Sequence, residues 1–192
     1  MRKVILNVAV SLDGYIEDAN GAYDWCFTDQ DYGLTEFVAN TGSMFIGRKS
    51  YELIAGQEEE YFPGVKKIYV FSDTMQPGDN EKIELIRSNE VEVRVPEIIE
   101  AEGNNIWLFG GASLVKMFLA KRWIGEMHLS VHPIVLGAGK PLFEDLKDRV
   151  ELILQDSITY SSGLIQLIYV LKPVFDTAVL DEQVNELDDK LF

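Results

Sequence analysis

The 192-residue chain carries 32 acidic against 17 basic residues, a formal net charge of -15, and 47% of its residues are hydrophobic. This composition predicts one folded core in place of a disordered chain, and its averaged negative field opposes binding to the nucleic-acid backbone. No apolar run reaches the roughly 18 residues that cross a bilayer, and Cys26, the single cysteine, can form neither an intramolecular disulfide nor a zinc cluster. The expectation is a cytoplasmic protein without membrane or nucleic-acid partners.

Arg2 to Val10 is rich in Val, Ile and Leu without clean alternation, as in a strand covered on both faces. Ser11-Leu12-Asp13-Gly14 is a turn signal, and the polar, glycine-containing segment up to Gly33 reads as one long loop. A short helix is expected over Leu34 to Ala39. Short apolar runs follow at Ser43 to Ile46, Lys67 to Phe71 and Ile106 to Phe109, each ending near Gly, Ser or Asp. Ala112 to Trp123 places Leu114, Val115, Phe118 and Leu119 at helical spacing. Glu126 to Val135, Glu151 to Thr159 and Leu164 to Leu171 are strand-like, with Ser161-Ser162-Gly163 as a hairpin turn between the last two. The alternation predicts an α/β fold that ends in antiparallel strands. Beyond Pro173, Leu180, Val184, Leu187 and Leu191 form one stripe among acidic residues, which predicts an amphipathic helix in an extension over 174–192. The run Glu58-Glu59-Glu60 reads as a solvated loop face.

Several strand ends carry chemistry. Gly47-Arg48-Lys49-Ser50 follows a strand and opens a helical pattern, where free amides, the helix dipole and two cations can meet phosphate oxygens. The same residues also fit a glycine turn followed by surface cations. Gly110-Gly111-Ala112-Ser113 allows close backbone approach to a pyrophosphate, although a Gly-Gly pair also makes tight turns. Ser72-Asp73 and Asp13-Gly14 lie beyond two further strands, and polar strand ends in an open α/β sheet gather around one cleft. His128 and His132 share one strand face but lack a third ligand, so polar core or interface roles are expected and no metal. No G-x-S-x-G elbow is present.

The motifs VSLDGYI (Val10 to Ile16), MFIGRKSYE (Met44 to Glu52), VFSD (Val70 to Asp73), IWLFGGASL (Ile106 to Leu114) and HPIVLGAGKPLF (His132 to Phe143) appear in order. Together they resemble the dihydrofolate reductase superfamily, specifically the reductase domain of riboflavin-biosynthesis deaminase-reductases, the RibD C-terminal type, over residues 1–173. The resemblance implies a three-layer fold with a mostly parallel central sheet, antiparallel C-terminal strands and flanking helices. It also implies an NADPH-dependent oxidoreductase that passes hydride to a pteridine-, pyrimidine- or ribosylamine-like molecule, similar to 5-amino-6-(5-phosphoribosylamino)uracil reductase or dihydrofolate reductase. By that resemblance Gly47, Arg48, Lys49 and Ser50 meet the cofactor's phosphates, Ser72 its adenosine end, and Gly110, Gly111, Ala112 and Ser113 its pyrophosphate. Gly137, Gly139 and Phe143 border the nicotinamide or substrate side, and Trp25 lies near the substrate with Asp24, Asp29 and Asp31 as weaker acid candidates.

Asp13 is the first choice for orienting substrate or delivering a proton, as a desolvated carboxyl; the alternative is an Asx-type cap on its turn. Asp73 stands where many relatives have arginine, and a carboxylate there repels a 2'-phosphate, so NADH is admitted beside NADPH. The resemblance further suggests a homodimer, with the last sheet strands around Glu126 to Val135 and Leu164 to Leu171 contributing and the tail helix as a reinforcing contact. No H-x-E with a P-C-x-x-C partner occurs, so deaminase chemistry is not expected. A non-catalytic nucleotide-binding or interaction module on the same fold is the competing reading.

Overall fold

A computed structural model describes residues 1–58 and 62–173. The predicted tail helix over 174–192 lies outside the described residues. Along the chain run β1 (Val4–Ser11), β2 (Tyr15–Asp18), α1 (Leu34–Ala39), β3 (Thr41–Gly47), α2 (Arg48–Glu52), β4 (Lys67–Phe71) and β5 (Ile83–Ile86). They are followed by α3 (Val91–Glu100), β6 (Asn105–Gly110), α4 (Ala112–Ala120), β7 (Glu126–His132), β8 (Gly139–Pro141), β9 (Leu152–Thr159) and β10 (Ile165–Leu171).

The main sheet has the order β5-β4-β3-β6-β1-β7-β10-β9. Pairing is parallel from β5 through β7, after which β10 and β9 join antiparallel. Alternation along the inner strands explains the three layers. Phe45, Ile106 and Leu108 turn to the face covered by α3 and α4, where they meet Val95, Val115 and Phe118. Met44, Ile46 and Trp107 turn to the opposite face, against Tyr51 of α2 and Phe37 and Val38 of α1. Both faces are thus dry, as the apolar, poorly alternating β1 requires. Burial of each such large side chain contributes roughly 1.5–3 kcal/mol. Among the described residues no helix is long and apolar enough to cross a membrane.

Three expectations change. The segment between Asp13 and Gly33 is not one loop, because Tyr15–Asp18 pairs antiparallel with β8 as a small second sheet. β5 and α3 lie in a stretch that the sequence reading left without elements. Glu58 is not solvated: it is buried, and its Oε1 accepts a 2.7 Å hydrogen bond from the Tyr51 hydroxyl. Burial alone would raise its pKa, but that hydrogen bond, the Glu58 and Gly56 amides and the charge of Lys82 outweigh it and keep the carboxyl below its ordinary value.

Candidate active site

The parallel register brings the expected strand ends into one row, with Gly47 opposite Phe71 and Ile46 opposite Gly110. Gly110 (φ +125°) and Gly111 (φ +91°) adopt backbone conformations that strain any L side chain. A Cβ on Gly110 would meet no atom within 4 Å, so open space lies directly before this backbone. α4 begins at Ala112 with no side-chain cap, which leaves its first amides available. α2 spans only five residues, so the anion-attracting power at Gly47 comes from the cations of Arg48 and Lys49 more than from a helix dipole.

Four cavities lie over these ends and share lining residues, forming one trench. The first, about 450 Å³, has an apolar floor of Ile86, Val91, Leu114 and Met117 and a polar rim that includes Arg48, Ser72, Asp73 and Ser88. The second, about 440 Å³, shares Gly47, Arg48, Ser113 and Leu114 with it and adds Lys49, Ser50, Gly111, Ala112 and Lys140. A third, about 460 Å³, continues past Ser50, Gly110 and Gly111 to Ala9, Ile16, Trp107 and Phe109. The fourth, about 510 Å³, shares Asn7, Val8, Ala9, Phe62, Trp107 and Phe109 with the third and reaches Tyr32, Ser130, His132 and Gln166. All nine residues expected at a cofactor therefore line the trench. The open cradle at Gly110, the uncapped α4 and three cations fit a dinucleotide's phosphates.

The expected substrate-side residues do not join them: Asp13, Trp25, Gly137, Gly139 and Phe143 line none of the four cavities. Asp13 is not a desolvated acid. Its side chain accepts hydrogen bonds from the Ser11 hydroxyl (2.6 Å) and from the amides of Gly137 (2.8 Å) and Leu136 (3.1 Å). Those contacts, Ser11 first, hold its carboxyl below the ordinary aspartate value, so it is ionised near neutral pH. Asp13 does not cap its own turn either, since the Tyr15 amide there is bonded to the Ser11 hydroxyl (2.9 Å) and the Asp13 carboxylate reaches across to the Leu136 and Gly137 amides. Gly137 is thus one of the donors to Asp13, and Gly139 pairs with Asp18, where a Cβ would lie 2.0 Å from the Glu17 carbonyl oxygen. Phe143 is exposed. Trp25 packs edge-on against His132, with ring centroids 5.3 Å apart.

Sequence reasoning missed most of the aromatic end. Trp107 is fixed there by a 3.0 Å hydrogen bond from its Nε1 to the Asn7 carbonyl oxygen. Buried His132 accepts a hydrogen bond from the Phe27 amide at Nε2 (3.0 Å) and donates from Nδ1 to the Ser130 carbonyl oxygen (3.0 Å), which pins the loop after β2. Burial pushes the His132 pKa down, so the ring is neutral at physiological pH. Asp31 stays ionised because the Thr35 hydroxyl, then the Thr35 and Gly33 amides, donate to it. Cys26, beside the third cavity, has its thiol pushed up to about 11, chiefly by burial and further by Asp24. A signal existed for Gln166, a polar residue inside the apolar run Leu164 to Leu171.

At the other end, Asp73 accepts a hydrogen bond from the Ser88 amide (2.8 Å), and that contact and the Ser88 side chain hold its carboxyl below the ordinary value. The Arg87 guanidinium donates instead to the backbone carbonyls of Ser72 and Met75.

Comparison with known proteins identifies the family. The profile of the RibD C-terminal domain matches residues 64–166. The Bacillus subtilis (strain 168) protein YyaP is 43% identical over 180 residues, covering 88% of this chain and 94% of YyaP. A crystal structure of a protein assigned to riboflavin biosynthesis from Shewanella sp. PV-4 superposes with a TM-score of 0.75 at 27% identity, over 89% of this chain and 99% of that one. The diaminohydroxyphosphoribosylaminopyrimidine deaminase/5-amino-6-(5-phosphoribosylamino)uracil reductase of Thermotoga maritima shares the fold, with a TM-score of 0.68 at 15% identity, over 89% of this chain but 57% of that one. With a matching family profile over more than half its length and a close full-length relative, the chain belongs to the RibD C-terminal domain family.

Proposed function

We propose that the protein is a cytoplasmic reductase that passes hydride from a nicotinamide dinucleotide to a pteridine-, pyrimidine- or ribosylamine-like heterocycle. One observation carries the reading: a single trench joins a cation-bearing end, built on left-handed glycines, to an aromatic end over the central strand β1. The residue set and the family membership support the same assignment.

The cofactor, when bound, supplies the hydride; the chain supplies binding, orientation and a dry enclosure. Arg48, Lys49 and Ser50, with the backbone from Gly110 to Ser113, hold the phosphates. Ile86, Val91, Leu114 and Met117 cover the adenine. Ala9, Ile16 and Gly110 border the nicotinamide, and Trp107 and Phe109 keep water from the reacting face. Both NADPH and NADH are admitted, because the carboxylate of Asp73 shares the polar rim of the first cavity with the cation of Arg48, and the Arg87 guanidinium is turned to backbone carbonyls. Asp13 acts as a positioning residue that ties the end of β1 to the Leu136-Gly137 turn. Residues 1–173 form the reductase unit, 174–192 an extension, and two copies join at the β10-β9 end of the sheet; of the strands expected to contribute, β10 is kept, while β7 is flanked on both sides by β1 and β10.

Oxidation of NADPH or NADH that depends on an added heterocycle tests this reading. Saturable dinucleotide binding with no turnover across pterins, pyrimidines and ribosylamines would support the non-catalytic module instead.

A further inference from the structure

Gln166 of β10 lies opposite Ser130 of β7, and Ser130 lies beside Ala9 of β1, so the three form one row across the sheet. All three line the fourth cavity. Gln166 is only 9% exposed, yet neither its carboxamide nor the Ser130 hydroxyl has a hydrogen-bond partner among the described residues. Neither group is sealed from solvent, since Trp25 Nε1 is the buried side-chain polar atom left unpaired among the described residues; both open on the fourth cavity, where a ligand can take up their hydrogen-bonding capacity. A carboxamide sets a donor beside an acceptor, which matches the N–H and C=O of a lactam.

The charges of this end point to the rest of the ligand. Among the described residues no lysine or arginine lines the third or fourth cavity. The charged groups that do are the carboxylates Glu17 and Asp31, while His132 has both ring nitrogens engaged by backbone. Outside the described residues the sole basic side chain is Lys190. A phosphate placed here would meet like charge and no counterion. The walls, with Trp107, Phe109, Phe62 and Tyr32, suit a flat ring.

We propose that the aromatic end takes a flat, uncharged heterocycle with a lactam edge and no phosphate arm, and that Gln166 reads that edge. The assignment of this end to the substrate rests on the reductase reading above. It separates this chain's substrate from phosphoribosylated pyrimidines such as the one in the name of the Thermotoga enzyme.

Calorimetric titration with 2,4-dioxopteridine, uridine and uridine 5'-monophosphate tests the proposal without turnover. The dioxopteridine and uridine should bind, and the monophosphate at least roughly tenfold more weakly than uridine. Gln166→Leu should weaken dioxopteridine binding by roughly tenfold while leaving dinucleotide affinity unchanged, with a cooperative thermal melt showing that the variant is folded. Gln30→Arg, at the exposed rim of the fourth cavity, should narrow the gap between uridine and its monophosphate. Equal or tighter binding of the monophosphate, an unchanged affinity in Gln166→Leu, or no binding of either unphosphorylated probe would overturn the proposal. A separate NADH and NADPH titration isolates the parent reading: if neither dinucleotide binds, that reading falls, while the three probes still judge the cavity.

Discussion

The Gly137 amide donates a 2.8 Å hydrogen bond to the Asp13 carboxylate, joining residues 124 positions apart and closing the turn after β7 onto the end of β1. The Ser11 hydroxyl and then the backbone amides depress the Asp13 pKa, so the ionised form is the one that the fold favours. Its stabilising effect is therefore present above the unfolded aspartate value and disappears as pH falls through the folded one. Asp13→Asn should lower the melting temperature by on the order of a few degrees with near-normal turnover in the surviving enzyme. Thermal melts and single-turnover rates on one preparation decide it; a large loss of turnover at unchanged stability would return Asp13 to the chemistry.

Asp73 offers a second test. Its carboxylate is ionised and lines the first cavity, with Arg87 turned to backbone carbonyls. Asp73→Asn can keep an acceptor for the Ser88 amide while removing the charge, so the NADPH-to-NADH affinity ratio should rise by roughly three- to tenfold, more at low salt. A ratio unchanged at every ionic strength would show that Asp73 does not face the ribose.

His132 gives a pH dependence with a defined sign. Burial lowers its pKa from the model-compound value of 6.5, so folding favours the neutral ring. The stability tied to that ring is complete above 6.5 and is lost as pH falls from there toward the lower folded value. Melting temperatures of the wild type should therefore fall more steeply as pH drops below 6.5 than those of His132→Asn, which carries no titrating ring at this position. Parallel slopes in that window would contradict the assignment.

The homodimer can be tested at the sheet edge. β9 is the outermost strand, and its Ile153, Leu154 and Ile158, with Ile165 of the neighbouring β10, are each 38–50% exposed. An apolar edge of this kind invites pairing with a second copy. Light scattering should give twice the chain mass for the wild type and for a chain ending at Pro173, and the single mass for Ile158→Lys. A wild-type monomer at micromolar concentration would remove the dimer.

Elements whose identity is local were legible. β4 and α1 begin and end where apolar runs and glycines mark them, and the hairpin at Ser161-Ser162-Gly163 turns on Gly163 at φ +86°. Missed elements depend on distant partners. β2 and β8 are four and three residues long and are strands only because they pair with each other. α3 hides its helix behind β-branched residues and Pro96, and packing of Val91, Val95, Ile98 and Ile99 overrides that weak propensity. The same division runs through the site. Strand-end glycines and cations could be read in order, but Asn7, Trp107, Ser130 and Gln166 come together only across the sheet register. Asp13 misled because a turn carboxylate and a catalytic one look alike until their donors are known.

The central claim is that the trench holds a nicotinamide dinucleotide with its reduced ring toward Trp107, and energy transfer from that indole tests it most directly. Titrating NADH or NADPH should quench tryptophan emission and sensitise dihydronicotinamide emission to saturation. Trp107→Phe should remove most of the sensitised signal with little change in the dissociation constant by calorimetry. Arg48→Ala, losing one charge-assisted phosphate contact, should weaken binding by roughly tenfold or more, and Gly110→Val, filling the open cradle, should abolish it. No saturable signal from either dinucleotide, or unchanged binding in both variants, would contradict the account.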